Sequence, residues 1–321
     1  RKNNILEFDH GLPSVSFSKN ISEDIITLIS PLIKYKKLVD ITNDILIIYE
    51  YGEINNLSND FSNYRCLPFM VNFCEEIINQ SINPKKINFL FQTLTKSIRR
   101  LNNCWEIQVD QNRFIKSRNL IISSSLIAHP RCLEILQINS LPLRDALPQG
   151  EDEVVDSVLR ELKKQKYISR KIYIFHVINF AIVKNFGYKY LQVGFSKIIR
   201  DDLNFERIIF QIQSDGSIVI SLHCFYLDKI IDISTDHIIQ SLISIFANYK
   251  IFLDLFLEAK LIDKMDWRAS QPVNNLLPKD LQWSSSSKIG FCGDWFDLNC
   301  SGGLETAMNS AIRLAKLIKA S

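Results

Sequence analysis

Long apolar runs are missing from this sequence of 321 residues. No stretch reaches the roughly 18 uninterrupted apolar residues that a membrane-spanning helix needs. The longest apolar region, residues 172–183, is interrupted by His176 and Asn179. Excess charge of one sign is also missing, since the net charge is only +3. We therefore expect neither a membrane span nor a nucleic-acid partner.

Metal-binding and disulfide spacings are missing as well. The seven cysteines are odd in number, scattered along the chain and never arranged as CxxC. That pattern is typical of reduced thiols in a cytoplasmic protein rather than of a disulfide framework. The five histidines form no HxxxH or HExxH pair, so the sequence predicts no metal site.

What is present is an alternation of strand-like and helix-like segments. Hydrophobic residues make up 46% of the chain, which is typical of a globular protein with a full core. Segments 45–51 and 205–212 are rich in β-branched and aromatic residues, whereas segments 22–38, 151–166 and 234–260 have the apolar spacing of helices. This alternation predicts an α/β (α+β) fold with two interleaved domains.

The segment FCGDWFDLNCSGGLETA, residues 291–307, admits several interpretations. A metal-binding knuckle is disfavoured because Cys292 lies in an apolar strand and no second cysteine pair exists at a matching spacing. A disulfide between Cys292 and Cys300 is out of keeping with the other, scattered thiols. An ordinary tight connection from a strand to a helix fits the residues, and so does a ligand-binding turn.

The ligand-binding interpretation depends on two glycines and one carboxylate in this segment. Gly302 and Gly303 open the last helix and leave backbone N–H groups uncovered, which favours an anion or a polarised carbonyl. Asp294 follows Gly293 at the end of the strand, where it can accept hydrogen bonds from ligand hydroxyls. Ala307, Ala311 and Ala315 are expected to let the helix lie close to a sheet.

Five segments of this sequence resemble segments of amine-oxidase-like flavoproteins and occur in the same order along the chain. The resemblance is nearest to the renalase-like group. CGDW with GGLETA resembles the C-terminal FAD-binding signature of that superfamily. The other four segments are FDHGLP (8–13), NFLFQTLTKSIRRLNNCWEI (88–107), NLIISSSLIAHPRCLEIL (119–136) and WRASQPVNN (267–275). The GxGxxG turn and the Gly-Gly-Arg loop of the family are expected upstream of residue 1, so we expect the natural N-terminus to be missing.

The resemblance implies FAD as the cofactor and a set of residues that contact it. Gly-Asp at the strand end would meet the ribityl chain and the diphosphate, and the last helix would point its N-terminus at the isoalloxazine ring. A residue near Thr95 would contact the adenine. The implied FAD-binding residues are Asp9, His10, Gly11, Thr95, Ser124, Gly293, Asp294, Gly302, Gly303, Leu304 and Glu305.

The resemblance also implies an architecture. A three-layer, Rossmann-like FAD-binding domain would be interleaved with a mixed-sheet substrate domain, as in amine oxidases and p-hydroxybenzoate hydroxylase. The FAD-binding domain would comprise residues 1–20, 67–130 and 263–321. The substrate domain would comprise residues 21–66 and 131–262.

The implied function is that of an FAD-dependent oxidoreductase that transfers a hydride from a small reduced organic substrate to flavin N5. The substrate would be an amine or a dihydronicotinamide-like ring, which makes NAD(P)H or a related nicotinamide a candidate partner. His10 is a candidate catalytic residue, although a structural role fits it too, and His176 and His223 either line a pocket or belong to the core. The alternatives are a desaturase or isomerase of a lipid or isoprenoid, and a non-catalytic flavoprotein, suggested by the unusual run Leu12-Pro13-Ser14.

Overall fold

The computed structural model describes residues 2–3, 6–56, 60–80, 86–95, 97–102, 104–109, 113–226, 234–274, 276–296 and 303–321. The protein is a mixed α/β structure with several sheets, as the sequence predicts. The strands are β1 (Lys2–Asn3), β2 (Leu6–Glu7), β3 (Val15–Ser18), β4 (Leu38–Asp40), β5 (Ile45–Ile48), β6 (Ile54–Asn56), β7 (Phe61–Cys66), β8 (Ser97–Leu101), β9 (Cys104–Gln108), β10 (Phe114–Ser117), β11 (Leu120–Ile122), β12 (Tyr167–Val177), β13 (Tyr190–Phe195), β14 (Phe205–Ile212), β15 (Ile218–Tyr226), β16 (Lys260–Pro272), β17 (Trp283–Ser284) and β18 (Ile289–Phe291). The α-helices are α1 (Glu23–Lys34), α2 (Val71–Asn79), α3 (Arg131–Leu136), α4 (Pro142–Ala146), α5 (Glu153–Leu162), α6 (Phe180–Phe186), α7 (Lys197–Leu203), α8 (Thr235–Ile245), α9 (Lys250–Glu258) and α10 (Gly303–Ala320).

Two compact units share the chain. Unit 1 contains Arg1–Ile21, Leu28–Ile78 and Ile168–Ser270, and unit 2 contains Ser22–Thr27, Asn79–Tyr167 and Gln271–Ser321. The boundaries of the predicted domains are not those of these two units. For example, the first 20 residues fall in unit 1 together with the seven-stranded sheet. The assignment of either unit to FAD or to a substrate stays a prediction.

Unit 1 is built on a seven-stranded sheet with the strand order β16-β12-β15-β14-β13-β5-β6. β13 and β5 are parallel, and the pairs from β12 to β13 and β5 with β6 are antiparallel. Successive side chains of a strand point to opposite faces. Alternate residues such as Phe210 and Leu222 therefore form an apolar core on one face, together with Phe246 and with Phe252 of α9.

The other face of this sheet is more polar. It carries Arg207, Gln211, His223 and Gln192 on the strands from β13 to β15, at positions that alternate with the core residues. Gln211 and His223 are buried on this face. A smaller antiparallel sheet, β3-β7-β4, belongs to the same unit.

Unit 2 contains two three-stranded sheets, β10-β9-β8 and β11-β18-β17. β11 and β18 are parallel, whereas β17 is antiparallel to β18. A Cβ atom added to Gly290 of β18 would lie 2.8 Å from Leu314 of α10 and 3.0 Å from Ile121. The missing side chain of Gly290 thus lets the last helix pack closely on the sheet.

The structure differs from the sequence predictions at three elements. The expected single helix over 234–260 is two helices, α8 and α9, and the break between them allows the Phe246 and Phe252 rings to pack with centroids 4.7 Å apart. Residues 87–95, whose β-branched and aromatic residues predict a strand, form no regular element before β8. Ala311 and Ala315 are exposed, because Ser310 and Leu314 form the buried side of α10.

No helix in the described ranges has the length and apolar character needed to cross a membrane.

Candidate functional site

Two parallel strands of unit 2 end side by side, and polar residues follow each of them. Ser123–Ser125 follow β11, and Gly293–Asp294 come after β18. The backbone N–H of Cys292 donates to the Ile122 carbonyl at 3.0 Å, which extends the pairing beyond the strands. Ligands of open α/β sheets bind at the carboxyl ends of parallel strands, so these residues form a candidate binding edge.

Gly293 cannot be replaced by another residue without a change in structure. Its φ is +145°, and a Cβ atom added there would lie 2.0 Å from Nε1 of Trp295 and 3.1 Å from the Ser123 carbonyl oxygen. The buried Ser310 hydroxyl accepts from the Gly293 N–H at 2.7 Å and lies 3.0 Å from the Gly293 carbonyl oxygen. Helix α10 is thereby attached to the strand end, and the next residue, Asp294, has a defined position.

The Asp294 carboxylate is available to a ligand. Burial raises the pKa of Asp294, and its own backbone N–H only partly offsets this. Among the residues that the structure describes, no other side chain donates a hydrogen bond to it. A half-buried carboxylate with free acceptor capacity suits a ligand that brings hydroxyl groups.

A directed chain of hydrogen bonds lies near Asp294. Nη2 of Arg131 donates to Ser125 Oγ at 3.4 Å, and the Tyr167 hydroxyl donates to Gln165 Oε1 at 2.6 Å. The Ser125 and Tyr167 oxygens are 2.5 Å apart. Because the Tyr167 proton goes to Gln165, Ser125 must be the donor to Tyr167.

The Arg131 guanidinium keeps unused donors. It stacks 4.1 Å over the centre of the Tyr167 ring, while its Nε and Nη1 atoms are buried and bond no described residue. Burial raises the pKa of Tyr167, the hydrogen bond from Ser125 and the charge of Arg131 act against this, and the Asp294 charge adds to the rise. The Tyr167 hydroxyl thus lies within electrostatic range of both the Arg131 guanidinium and the Asp294 carboxylate.

His129 helps to orient this cluster. Its Nδ1 accepts from the Arg131 backbone N–H at 3.1 Å. Nε2 must therefore carry the proton, which it donates to the Gln165 carbonyl at 3.1 Å.

Sequence reasoning missed Arg131 and Tyr167. Arg131 lies within the segment 119–136 that resembles the flavoproteins, but no local pattern marks Tyr167, which reaches the cluster from the start of β12.

The other predicted cofactor residues of unit 2 are placed as follows. Ser124 is exposed, and its hydroxyl accepts from the Leu126 N–H at 3.3 Å. Gly303, Leu304 and the buried Glu305 form the first turn of α10. The resemblance implies a strand–hairpin–strand over the segment 88–107, and the antiparallel strands β8 and β9 form one. Thr95 lies in an irregular segment just before β8, and Gly302 lies outside the described residues.

The predicted residue Asp9 belongs to unit 1 and is the centre of a buried network. Its carboxylate accepts from the Met70 N–H at 2.9 Å, from Arg65 Nη2 at 3.3 Å and from Gln211 Nε2 at 3.4 Å. Burial raises the pKa of Asp9, and the Met70 N–H and the Arg65 charge lower it by less. These bonds show Asp9 as a structural anchor of the segment that contains His10 and Gly11.

The structure brings His10 and Gly11 to Trp267, which comes from another of the flavoprotein-like segments. The His10 and Trp267 rings have centroids 6.2 Å apart, and a Cβ atom added to Gly11 would lie 3.5 Å from the indole. Phe8 approaches His10 from another side, with centroids 6.2 Å apart. Two segments distant in sequence thus meet within unit 1.

A cavity of about 700 Å³ opens beside the Asp9 network. Its volume is in the range of small-molecule sites. It is lined by Leu6, Glu7, Lys37, Arg65, Leu67, Pro68, Phe69, Gln211, Ile212, Gln213 and Ser214, all in unit 1. The wall is therefore mixed, with apolar residues beside charged and amide side chains.

Neither a protein-family model nor a curated protein sequence matches this chain. Solved structures that are similar to it at low identity include the following two. Tetracycline destructase Tet(51) has 13% identity and a TM-score of 0.47, and the match covers 99% of this chain and 74% of that one. An oxidoreductase from Methanosarcina mazei has 9% identity and a TM-score of 0.48, with 81% of this chain and 56% of that one covered. Similarity at this level identifies neither a family nor a function.

Proposed function

We propose that this chain belongs to an FAD-dependent oxidoreductase that transfers a hydride from a small reduced organic substrate to flavin N5. The observation that carries the proposal is the binding edge in unit 2. There Ser123–Ser125 and Gly293–Asp294 follow two parallel strands, and α10 packs against one of them. This arrangement is what the resemblance to renalase-like, amine-oxidase-related flavoproteins implies for the C-terminal half of a Rossmann-like FAD site.

The side chains at this edge fit FAD chemically. Asp294 has acceptor capacity for the hydroxyls of a ribityl chain. Arg131 has two buried nitrogen donors without a described partner, and such donors suit phosphate oxygens. Asp294 and Arg131 would thus hold two different parts of the cofactor. The contacts implied for Asp9, His10 and Gly11, which belong to unit 1, stay predictions.

When bound, the flavin supplies the hydride acceptor, while the protein orients and polarises its surroundings. The N–H groups in the first turn of α10, from Gly303 to Glu305, would stabilise negative charge on a nearby ligand, because a helix N-terminus carries a partial positive charge. The Gly293–Ser310 hydrogen bonds hold that helix against the strand end. Hydride transfer requires no protein acid or base, and His10 stays the candidate should one take part.

The cavity in unit 1 favours a small polar substrate over a lipid. A desaturase or isomerase of an isoprenoid would need a wide apolar tunnel. The wall of this cavity instead includes Lys37, Arg65, Gln211 and Gln213. The preferred substrate class is thus a small amine or a dihydronicotinamide-like ring. NAD(P)H or a related nicotinamide is the candidate partner, and the cytoplasm is the proposed location of the protein.

The visible absorption spectrum of the complete gene product, purified gently, tests this proposal. Bound flavin gives two visible bands, and we expect anaerobic addition of a reduced nicotinamide or of an amine to bleach them. A colourless protein that does not take up added FAD would contradict the proposal. A yellow protein that no reductant of either class bleaches would favour the non-catalytic alternative.

A further inference from the structure

An arginine and a histidine are direct neighbours on the polar face of the seven-stranded sheet. Arg207 of β14 is the cross-strand partner of His223 of β15, and Gly194 of β13 is the partner of Arg207 on its other side. The adjacent residues Ile208 and Leu222 point into the apolar core, so this row faces the other way. Cβ atoms of cross-strand partners lie about 4.5–5.5 Å apart, which makes the two side chains neighbours.

Arg207 forms no direct ion pair with a carboxylate within the described part of the chain, although its charge helps to lower the pKa of the neighbouring Glu206. Arg170 of β12 binds Glu206 through two bonds of 2.6 and 2.8 Å, and Arg65 of β7, in the smaller sheet, pairs with Asp9 at 3.3 Å. Arg207 has no such partner, and its Nε atom is buried without a hydrogen bond to any described residue. Arg170 and Arg65 thus form direct ion pairs with acids, whereas Arg207 does not.

His223 also lacks partners. Its side chain is 0% exposed, and neither ring nitrogen bonds a residue in the described ranges. Burial, followed by the charges of Arg207, Arg170 and His10, holds the pKa of His223 well below its usual range. The ring is therefore neutral, with one donor and one acceptor unused. Buried polar groups are nearly always hydrogen-bonded, so such an exception calls for an explanation.

Gly194, the third residue of the cross-strand row that also contains Arg207 and His223, has no side chain to fill the space beside Arg207. A Cβ atom added to Gly194 would approach only the Leu46 carbonyl oxygen, at 3.7 Å. The position next to the guanidinium on β13 thus has no side chain, and no side-chain atom of another described strand lies within 4 Å of the added Cβ; we call this position the recess. A ligand group next to Arg207 would not meet a side chain from that position.

We propose that this row is an anion subsite: Arg207 binds the carboxylate or phosphate group of a small organic substrate, the His223 N–H adds a donor, and Gly194 provides the space. A guanidinium matches the paired oxygens of either group. A protonated amine without an acidic group would be repelled by Arg207, so within the substrate classes proposed above this subsite favours a molecule that carries a carboxylate or phosphate group. The identification of the anion as part of a substrate rests on the function proposed above, whereas the subsite itself does not.

Calorimetric titration of the purified protein with benzoate, phenyl phosphate and benzamide tests the subsite. Benzamide is the neutral counterpart of benzoate. We expect at least one anion to bind, benzamide to bind at least about tenfold more weakly, and Arg207→Gln to weaken anion binding by about tenfold or more. Arg200→Gln is the matched control, because it removes the same charge from an exposed position of α7 in the same unit, and it should leave binding unchanged.

Gly194→Val is a second variant that keeps all charges and is compatible with a strand. It should weaken anion binding by blocking the recess, and it keeps the test informative if Arg207→Gln does not fold. The proposal is overturned if neither anion binds, if benzamide binds as tightly as benzoate, or if Arg200→Gln matches the loss seen for Arg207→Gln. Anion binding by a protein that takes up no flavin would refute the oxidoreductase while leaving the subsite intact.

Discussion

Asp9 and Gln211, 202 positions apart, hold each other through two hydrogen bonds. The Asp9 backbone N–H donates to Gln211 Oε1 at 3.1 Å, and Gln211 Nε2 donates back to the Asp9 carboxylate at 3.4 Å. This reciprocal pair attaches the segment before His10 to the end of β14. The segment that contains His10, for which a flavin contact is proposed, is thus held by its neighbour on the seven-stranded sheet.

Replacing Asp9 by alanine should destabilise the protein by about 3–5 kcal/mol, since it leaves a buried cation and two buried donors without their acceptor. Urea unfolding of the wild type and of Asp9→Ala measures this difference. Asp24→Ala is the control, because its ion pair with Lys316 is exposed and should contribute only about 0–1 kcal/mol. Equal effects of the two substitutions would show that the Asp9 network is not important for stability.

The alkaline stability of the protein should depend on Tyr190. Burial raises the pKa of Tyr190 to about 12 from an ordinary value of 10.0, against the opposing charges of Arg207 and Arg65. The folded protein then holds the phenol proton more tightly than the unfolded chain does. This contribution is fully present below a pH of about 10 and is lost as the pH rises toward about 12, which amounts to about 3 kcal/mol.

Free energies of unfolding measured from a pH of about 9 to about 12 test this expectation. The difference between the wild type and Tyr190→Phe should change by about 3 kcal/mol over that range, to the disadvantage of the wild type. Tyr51→Phe provides the comparison, because Tyr51 is 86% exposed. A pH-independent difference for Tyr190→Phe would mean that its hydroxyl is not desolvated in the folded protein.

Gly293→Ala should be far more damaging than Gly150→Ala, although both glycines have positive φ angles in unit 2. At Gly150 an added Cβ meets nothing within 4 Å, so only backbone strain of about 1–2 kcal/mol is expected. At Gly293 the Trp295 indole must also move, and we expect a loss above about 4 kcal/mol. Thermal denaturation of both variants measures the ranking, and similar losses would refute the steric argument.

Asp294→Ala should weaken FAD retention by about tenfold, because the carboxylate is expected to accept hydrogen bonds from the cofactor. The dissociation constant for added FAD, measured by flavin fluorescence, is the readout. Asp280→Ala, at an exposed position of the same unit, should not change it. An unchanged dissociation constant for Asp294→Ala would remove this residue from the proposed site while leaving the general flavin proposal standing.

Local patterns in the sequence predicted most of the regular elements. The helical spacing over 22–38 is observed as α1 from Glu23 to Lys34, while Leu38 begins β4. Serine is a preferred N-cap residue, and Ser234 caps α8, since its hydroxyl accepts from the His237 N–H at 3.3 Å. Predictions were wrong where long-range packing decided the outcome. One continuous helix over 234–260 satisfies the apolar spacing, but the break at Phe246 is stabilised by aromatic contacts that involve Phe252.

The serine run 284–287 illustrates the same limit. Its composition is typical of a solvated loop, yet Ser284 and Ser287 are buried, and the Ser284 and Ser286 hydroxyls donate to Asp152. Burial acts to raise the pKa of Asp152, but these hydrogen bonds outweigh it and lower the pKa. Asp152 precedes the run by more than a hundred residues, so no local pattern could indicate this contact.

The sequence by itself determined the strand-to-helix connection at Gly293–Asp294 and the mixed α/β class, because turn chemistry and apolar periodicity are local properties. Tertiary structure alone decided which polar groups meet: Arg131 with Tyr167 in unit 2, and Arg207 with His223 in unit 1. These pairs depend on strand register and on charge balance between distant segments. The candidate anion site became visible only when strand register placed Arg207, which forms no direct ion pair within the described residues, beside the unpartnered His223.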